Sequence, residues 1–207
     1  MTLIVLARHG ETEWNRVERY RGRADVPLNA TGLAQAELTA KRLASEWKPS
    51  SVYSSPLSRA VRTAEAIARH CNLGVQVESG IVDIDYGRWQ GLTPEEARER
   101  WPEVYSAWSN SPQEAQLPDG ERLDDLRARA MQSVRDLVAR HASETIVLVS
   151  HTIVNRIILL SVLGLDNNHL WRLKQDTCAI NVFEADGKKY TLVSLNDTCH
   201  LRSGVTG

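Results

Sequence analysis

Leu3-Ile4-Val5-Leu6-Ala7-Arg8-His9-Gly10-Glu11-Thr12-Glu13-Trp14-Asn15 decides how this chain is read. Its first five residues are continuously apolar, and such a short uninterrupted run predicts a strand buried on both faces. The strand ends on a guanidinium and an imidazole, followed by a glycine turn. That arrangement brings reactive groups to the carboxyl edge of a sheet, where open α/β folds bind ligands. The expectation is that His9 attacks a phosphorus atom and that cationic residues elsewhere in the chain serve it.

Working outward, a second apolar run, Thr145-Ile146-Val147-Leu148-Val149, ends in the same manner with Ser150-His151-Thr152. One histidine after a strand is most simply a structural residue. Two such strand ends, together with Arg8, Arg59 and a loop holding Arg21 and Gly22, predict an anion-binding site. Between them, Thr31 reads as the N-cap of a helix with Leu33, Ala36, Ala40, Leu43, Ala44 and Trp47 on its inner face. Ser51–Ser54 reads as a strand. Ser55 and Pro56 then start a helix whose buried stripe is Leu57, Ala60, Val61, Ala64, Ile67, Ala68 and Cys71. Arg59 lies off that stripe in the first turn, where a phosphate meets both a cation and free helix N–H groups.

Further along, Val75-Gln76-Val77 is a short strand, and Thr93-Pro94-Glu95-Glu96 has the form of a capping box. The tract up to Pro118 is rich in tryptophan, proline and charge and reads as an insertion over the sheet. A long amphipathic helix is expected from Asp119 to about His141. The helix after His151 runs to Val162, with Gly164 as its stop. The alternation in Cys178–Phe183, a turn at Asp186-Gly187 and a return through Tyr190 to Leu195 predict an antiparallel hairpin at one sheet edge. The fold class is therefore α/β, a three-layer α/β/α sandwich. Its sheet is mixed and mostly parallel, with a terminal antiparallel hairpin and a small inserted cap. One domain spans residues 1–207, with the cap-like insertion at about 86–118.

Composition narrows the function classes. The 207 residues are 42% hydrophobic and 25% charged, as in ordinary globular proteins. A net charge of -1, from 25 basic and 26 acidic residues, gives no field for a polyanion and argues against nucleic acid as a partner. Cys71, Cys178 and Cys199 are scattered and read as reduced thiols of a cytoplasmic protein. The apolar run at the N-terminus is too short for a membrane span and lacks the form of a signal peptide, so no membrane role is expected. The edge hairpin offers a surface for a second copy, and a homodimer is the expectation.

Arg8-His9-Gly10-Glu11-Thr12 with Trp14 and Asn15, then Ser54-Ser55-Pro56-Leu57-Ser58-Arg59-Ala60, then Ser150-His151-Thr152, resembles the histidine phosphatase superfamily, also called phosphoglycerate mutase-like. The resemblance covers nearly the whole chain. It implies a two-step reaction through a phosphohistidine, with no metal and no cofactor, on a small-molecule phosphate ester. It places the nucleophile at His9 and phosphoryl-binding groups at Arg8, Arg59 and His151, with Asn15 and Thr12 in the phosphate pocket. Gly87-Arg88-Trp89-Gln90-Gly91 matches the segment that follows the family's acid, usually a glutamate, and the matching position here is Asp83. Aspartate is one methylene shorter, roughly 1.5 Å less reach. Asp85 is the second candidate acid. The ending Leu195–Leu201 is similar to that of metal-independent phosphoserine phosphatases, and less closely to α-ribazole phosphatase-like members. In those phosphoserine enzymes the tail closes over the pocket and a histidine stands where this chain has Tyr86. Arg21, Gly22, Tyr86, Thr152 and His200 are accordingly the expected substrate-binding residues beside Thr12 and Asn15.

Chemistry supports these roles independently. Phosphoryl transfer is catalysed mostly by positioning and by stabilising charge on the equatorial oxygens, a task suited to guanidiniums. His9 must be neutral to attack, and neighbouring cations push its pKa down from about 6.5. A metal site built from His9, His151 and Asp83 is the competing arrangement, disfavoured because the arginines would repel the ion. Three activities remain. A phosphomonoesterase acts on a small metabolite such as phosphoserine, an α-ribazole phosphate or a sugar phosphate. A phosphoglycerate mutase is disfavoured by the shortness of the insert, and a silent binding module by the intact nucleophile.

Overall fold

The computed structural model describes residues 1–187 and 189–204. Strand β1 (Thr2–Arg8) has every residue from Ile4 to Ala7 fully buried, as a run apolar on both faces requires. Ile4 and Leu6 face one side of the sheet, and Val5 and Ala7 face the other, so the two faces carry separate cores. Strand β2 (Ser51–Ser54), β3 (Val75–Val77), β4 (Thr145–Ser150), β5 (Ile180–Asp186) and β6 (Lys189–Asp197) complete a sheet ordered β3-β2-β4-β1-β5-β6. β1 to β4 run parallel, while β5 and β6 are antiparallel additions on one edge. The class expected from the sequence, α/β with a mixed sheet and a terminal hairpin, is the one observed.

Among the described residues there are seven α-helices: α1 (Glu13–Arg16), α2 (Ala30–Glu46), α3 (Ser58–Cys71), α4 (Pro94–Arg100), α5 (Pro102–Asn110), α6 (Leu123–Arg140) and α7 (Thr152–Val162). The alanine-rich faces of α2 and α3 cover the Val5 side, and α6, α7 and the α4–α5 pair cover the Ile4 side. Trp89 and Trp108 are buried in the core on the Ile4 side. No helix among the described residues is long and apolar enough to cross a membrane. Among the described residues no strand pairs with the outer side of β6.

Several element boundaries differ from the sequence reading. Asn29, not Thr31, caps α2 by accepting the Gly32 N–H, and Leu33 faces solvent. Helix α3 starts at Ser58 after a Leu57 N-cap because Ser55 is drawn inward to His151. Arg59 is not off the buried stripe: it is completely buried with Ala60, Thr63 and Ala64. Helix α6 begins at Leu123, since Asp119 has a positive φ and Gly120 packs against the Asp85 backbone. Cys178, also at positive φ, precedes the strand instead of belonging to it. The capping box at Thr93 forms as read, with Glu96 accepting the Thr93 N–H.

The loop after β1 is held by close backbone approach to the start of α2. Glu11 accepts from the Asn29 N–H at 3.0 Å and donates its own N–H to the Gln35 side chain at 2.9 Å. A Cβ on Gly32 would stand 2.7 Å from the Glu11 nitrogen, well inside van der Waals contact with rigid backbone. Gly32→Ala is therefore expected to lower stability by about 1–3 kcal/mol, read as a shift of the urea midpoint at constant slope. A midpoint equal to wild type would show that this approach is not tight.

Candidate active site

Parallel pairing places Arg8 opposite Ser150, so the next residues, His9 and His151, emerge together from the carboxyl ends of neighbouring strands. Their ring centroids are 5.2 Å apart, and both side chains are fully buried. The His9 Nδ1 lies 2.6 Å from the Gly10 carbonyl. A carbonyl only accepts, so Nδ1 carries the proton and Nε2 presents a lone pair. That Nε2 has no hydrogen-bond partner among the described residues. Burial is the main force holding the His9 pKa well below 6.5, with Arg59, His151, Arg8 and Arg21 adding to it. The sequence reading gave the cations first place; desolvation outranks them. His151 is held down for the same reason, so both rings are neutral at neutral pH.

Cations surround the pair. Arg8 donates Nη1 to the Gln175 carbonyl at 2.6 Å. Burial lowers the Arg8 pKa to about 9, which still leaves it charged at neutral pH. Arg59 reaches back from α3 and donates to the carbonyls of Ala24 (2.8 Å) and Gly22 (2.7 Å) and to Asp83 Oδ2 (3.0 Å). It thereby ties the Arg21–Asp25 loop to the sheet edge, and Gly22, at φ 50°, supplies the carbonyl. Arg21 is held by the Trp14 and Arg19 carbonyls, both at 3.3 Å. The Nε groups of Arg8, Arg21 and Arg59, the His151 Nδ1 and the Thr152 hydroxyl are all buried with no hydrogen-bond partner among the described residues. Unpaired buried donors are expensive, and Arg8, Arg21 and Thr152, which line one cavity, are of the kind that can serve an oxyanion there.

Thr12 caps the short helix α1. Its hydroxyl and N–H both donate to Asn15 Oδ1, at 2.9 and 3.0 Å, which fixes Asn15 at the rim of the cavity. The sequence reading had no helix here; Thr12 and Asn15 form a capping box of their own.

Asp83 is 4% exposed. One oxygen accepts the Ile84 N–H at 2.9 Å, and the other faces both Arg59 and, at 3.5 Å, His151 Nδ1. Burial raises its pKa above the usual carboxylate value, with Arg59 and Arg21 opposing. Asp85, the second candidate, instead accepts the Gly87 N–H at 2.9 Å and turns its other oxygen to Arg23. Among the described residues no three His, Cys, Asp or Glu side chains are grouped to hold a metal ion.

The open part of the site is a cavity of about 520 Å³, with Arg8, Asn15, Arg21, Tyr86 and Thr152 in its lining. His200 is not part of it. The turn Cys199–Gly204 packs against α2, where the His200 ring meets the Thr39 hydroxyl (3.0 Å) and Arg42 (3.3 Å). Arg42 anchors that turn through Asp197 at 2.6 Å, so the described tail braces α2 and does not cover the cavity. Residues 205–207 lie outside the described part. The sequence reading also missed Ser55, whose hydroxyl meets His151 Nε2 at 2.7 Å, and Arg156, Trp108 and Trp171 in the cavity wall.

Residues 4–198 match the histidine phosphatase superfamily (branch 1). The chain is 36% identical to phosphoserine phosphatase 1 of Hydrogenobacter thermophilus over 97% of its own length and 95% of that protein's. It is 36% identical to a metal-independent phosphoserine phosphatase of Arabidopsis thaliana, over 98% of this chain and 84% of the relative. Among solved structures it is similar to a histidine-to-alanine mutant of phosphoserine phosphatase from Entamoeba histolytica in complex with phosphoserine. That likeness has a TM-score of 0.89 and 29% identity, over 97% of this chain and all of the other.

Proposed function

This chain belongs to the histidine phosphatase superfamily, branch 1, and we propose from that membership that it is a metal-independent phosphomonoesterase for small phosphorylated metabolites, phosphoserine among them. The observation that carries the reading is a neutral imidazole with a free Nε2, set among buried arginine N–H groups that lack partners. In this reading the Nε2 lone pair attacks phosphorus and the ester P–O bond breaks. Arg8, Arg21, Arg59, His151 and Thr152 hold the equatorial oxygens as charge develops on them. Asn15, positioned by Thr12, closes one side of the phosphate pocket.

The leaving alkoxide takes a proton from Asp83. The carboxylate so formed then accepts a proton from water, whose oxygen attacks the phosphohistidine. Inorganic phosphate leaves, His9 regains its lone pair and Asp83 its proton. Every charge is met by an arginine or a proton, so the sequence of steps needs no metal.

The test is the fate of phosphorus in the presence of a chelator. Phosphoserine is expected to yield serine and inorganic phosphate in equal amounts, and 3-phosphoglycerate to yield inorganic phosphate without its isomer. Accumulation of 2-phosphoglycerate in place of phosphate would assign a mutase instead.

A further inference from the structure

Helix α7 contains one charged residue, Arg156, among otherwise uncharged and mostly buried neighbours. A guanidinium held partly out of water on an apolar helix is costly unless it meets an anion. Its position is defined from two sides: Nε donates to the Leu173 carbonyl at 2.6 Å, and the guanidinium lies 5.0 Å from the Trp171 ring centroid. Neither Nη1 nor Nη2 has a hydrogen bond among the described residues, and the side chain lines the same cavity as Arg8, Arg21 and Tyr86. Its charge reaches Arg8 and Tyr86.

Thr152 and Arg156 are four residues apart on α7 and so share one face. Four residues of helix rise about 6 Å. Thr152 belongs to the group of unpartnered donors that would meet a phosphate, and Arg156, one helical turn further on, lines the same cavity, so one small ligand can reach both. In an ester whose carboxylate stands two carbons from the ester oxygen, phosphorus and the carboxyl carbon are four bonds apart. Extended, that separation is roughly 5 Å. A guanidinium edge matches a planar carboxylate in a bidentate way. Glu11, Glu18 and Asp176 also reach the cavity, which opposes a ligand with more negative charge than one such group.

We propose that Arg156 is a specificity-determining residue, receiving the substrate's carboxylate and selecting phosphate monoesters of short carboxylic acids over carboxylate-free ones. The proposal rests on the hydrolase reading above and goes beyond it by naming the substrate class and the residue that reads it. Tyr86 forms the adjoining wall, and Trp171 keeps the guanidinium oriented.

The experiment measures kcat/KM for phosphoserine, 3-phosphoglycerate and phosphoethanolamine, which lacks the carboxylate, in wild type, Arg156→Gln and Arg156→Lys. Wild type is expected to favour the two carboxylated esters. In Arg156→Gln the ratio of phosphoserine to phosphoethanolamine falls by about 10- to 100-fold, mainly through KM, and Arg156→Lys recovers part of it. Because the ratio is taken within each variant, a loss of folded enzyme lowers both values and leaves it unchanged; melting curves identify that case, and Arg156→Lys then decides. A wild-type ratio near one, or a ratio unmoved in folded variants, overturns the role of Arg156 and leaves the hydrolase reading standing. No turnover of any ester overturns both. Equal preference for phosphoserine and 3-phosphoglycerate supports recognition of the carboxylate alone.

Discussion

His9→Ala is expected to lose at least about 10⁴-fold in kcat on phosphoserine, because nothing else at the site can take over the attack. The nearest imidazole, His151, has Nε2 engaged with the Ser55 hydroxyl at 2.7 Å and Nδ1 turned to Asp83. Serving as the nucleophile would require its Nε2 to leave the Ser55 hydroxyl. Binding should survive, since the arginine N–H groups and the Thr152 hydroxyl remain where they are. Calorimetric titration of His9→Ala with phosphoserine is expected to give a Kd within about one order of magnitude of the wild-type substrate affinity. Turnover by the variant within tenfold of wild type would exclude His9 as the nucleophile. Lost binding alongside lost turnover would instead make it a structural residue.

Asp83→Asn is the second large effect. Asparagine preserves the shape, but its single carbonyl oxygen can accept from only one of Arg59 and the Ile84 N–H, and it cannot supply an acid proton. On an alkyl ester such as phosphoserine the loss is expected at about 10²–10⁴-fold. On p-nitrophenyl phosphate, whose leaving group needs no proton, the loss should be much smaller. Equal losses on both esters would remove Asp83 from the acid role. The pH dependence carries the same information with a definite sign. Burial raises the Asp83 pKa, so the acid keeps its proton further up the pH scale than a free aspartate. As pH climbs through that raised value the donor is lost and the rate falls; Asp83→Asn should lack this limb. His9, held below its ordinary pKa, loses activity only when pH drops far enough to protonate it.

Most of the architecture was legible because two signals are strong in this chain. The runs Leu3–Ala7 and Thr145–Val149 are apolar without alternation, and both end in histidine, so their pairing as central parallel strands and the meeting of His9 with His151 follow from pattern alone. Helix starts were less legible, because a cap is chosen by tertiary contacts. Ser55 looks like an N-cap, but its hydroxyl is taken by His151, and the helix begins three residues later.

Arg59 was placed on the correct element with the wrong surroundings. Periodicity assigns an arginine to the solvent side, whereas the carbonyls of the Arg21–Asp25 loop and Asp83 give its guanidinium partners inside. The surroundings of His200 were illegible for a related reason. A histidine near the end of a chain carries no record of the helix it will dock on, and the Arg42–Asp197 pair directs its turn to α2. Arg156 could have been found, since a single charge inside an otherwise uncharged, largely apolar helix is visible in the sequence. Its contact with Trp171 and the Leu173 carbonyl could not.

The central claim is that phosphorus passes through His9, and rapid quenching with phosphate-labelled phosphoserine tests it most directly. Wild type should show label bound to protein before inorganic phosphate appears, acid-labile and base-stable, on the peptide containing His9. In Asp83→Asn the same label should form more slowly. Release of labelled phosphate with no protein-bound label at any quench time, or label on a peptide lacking His9, would contradict the account.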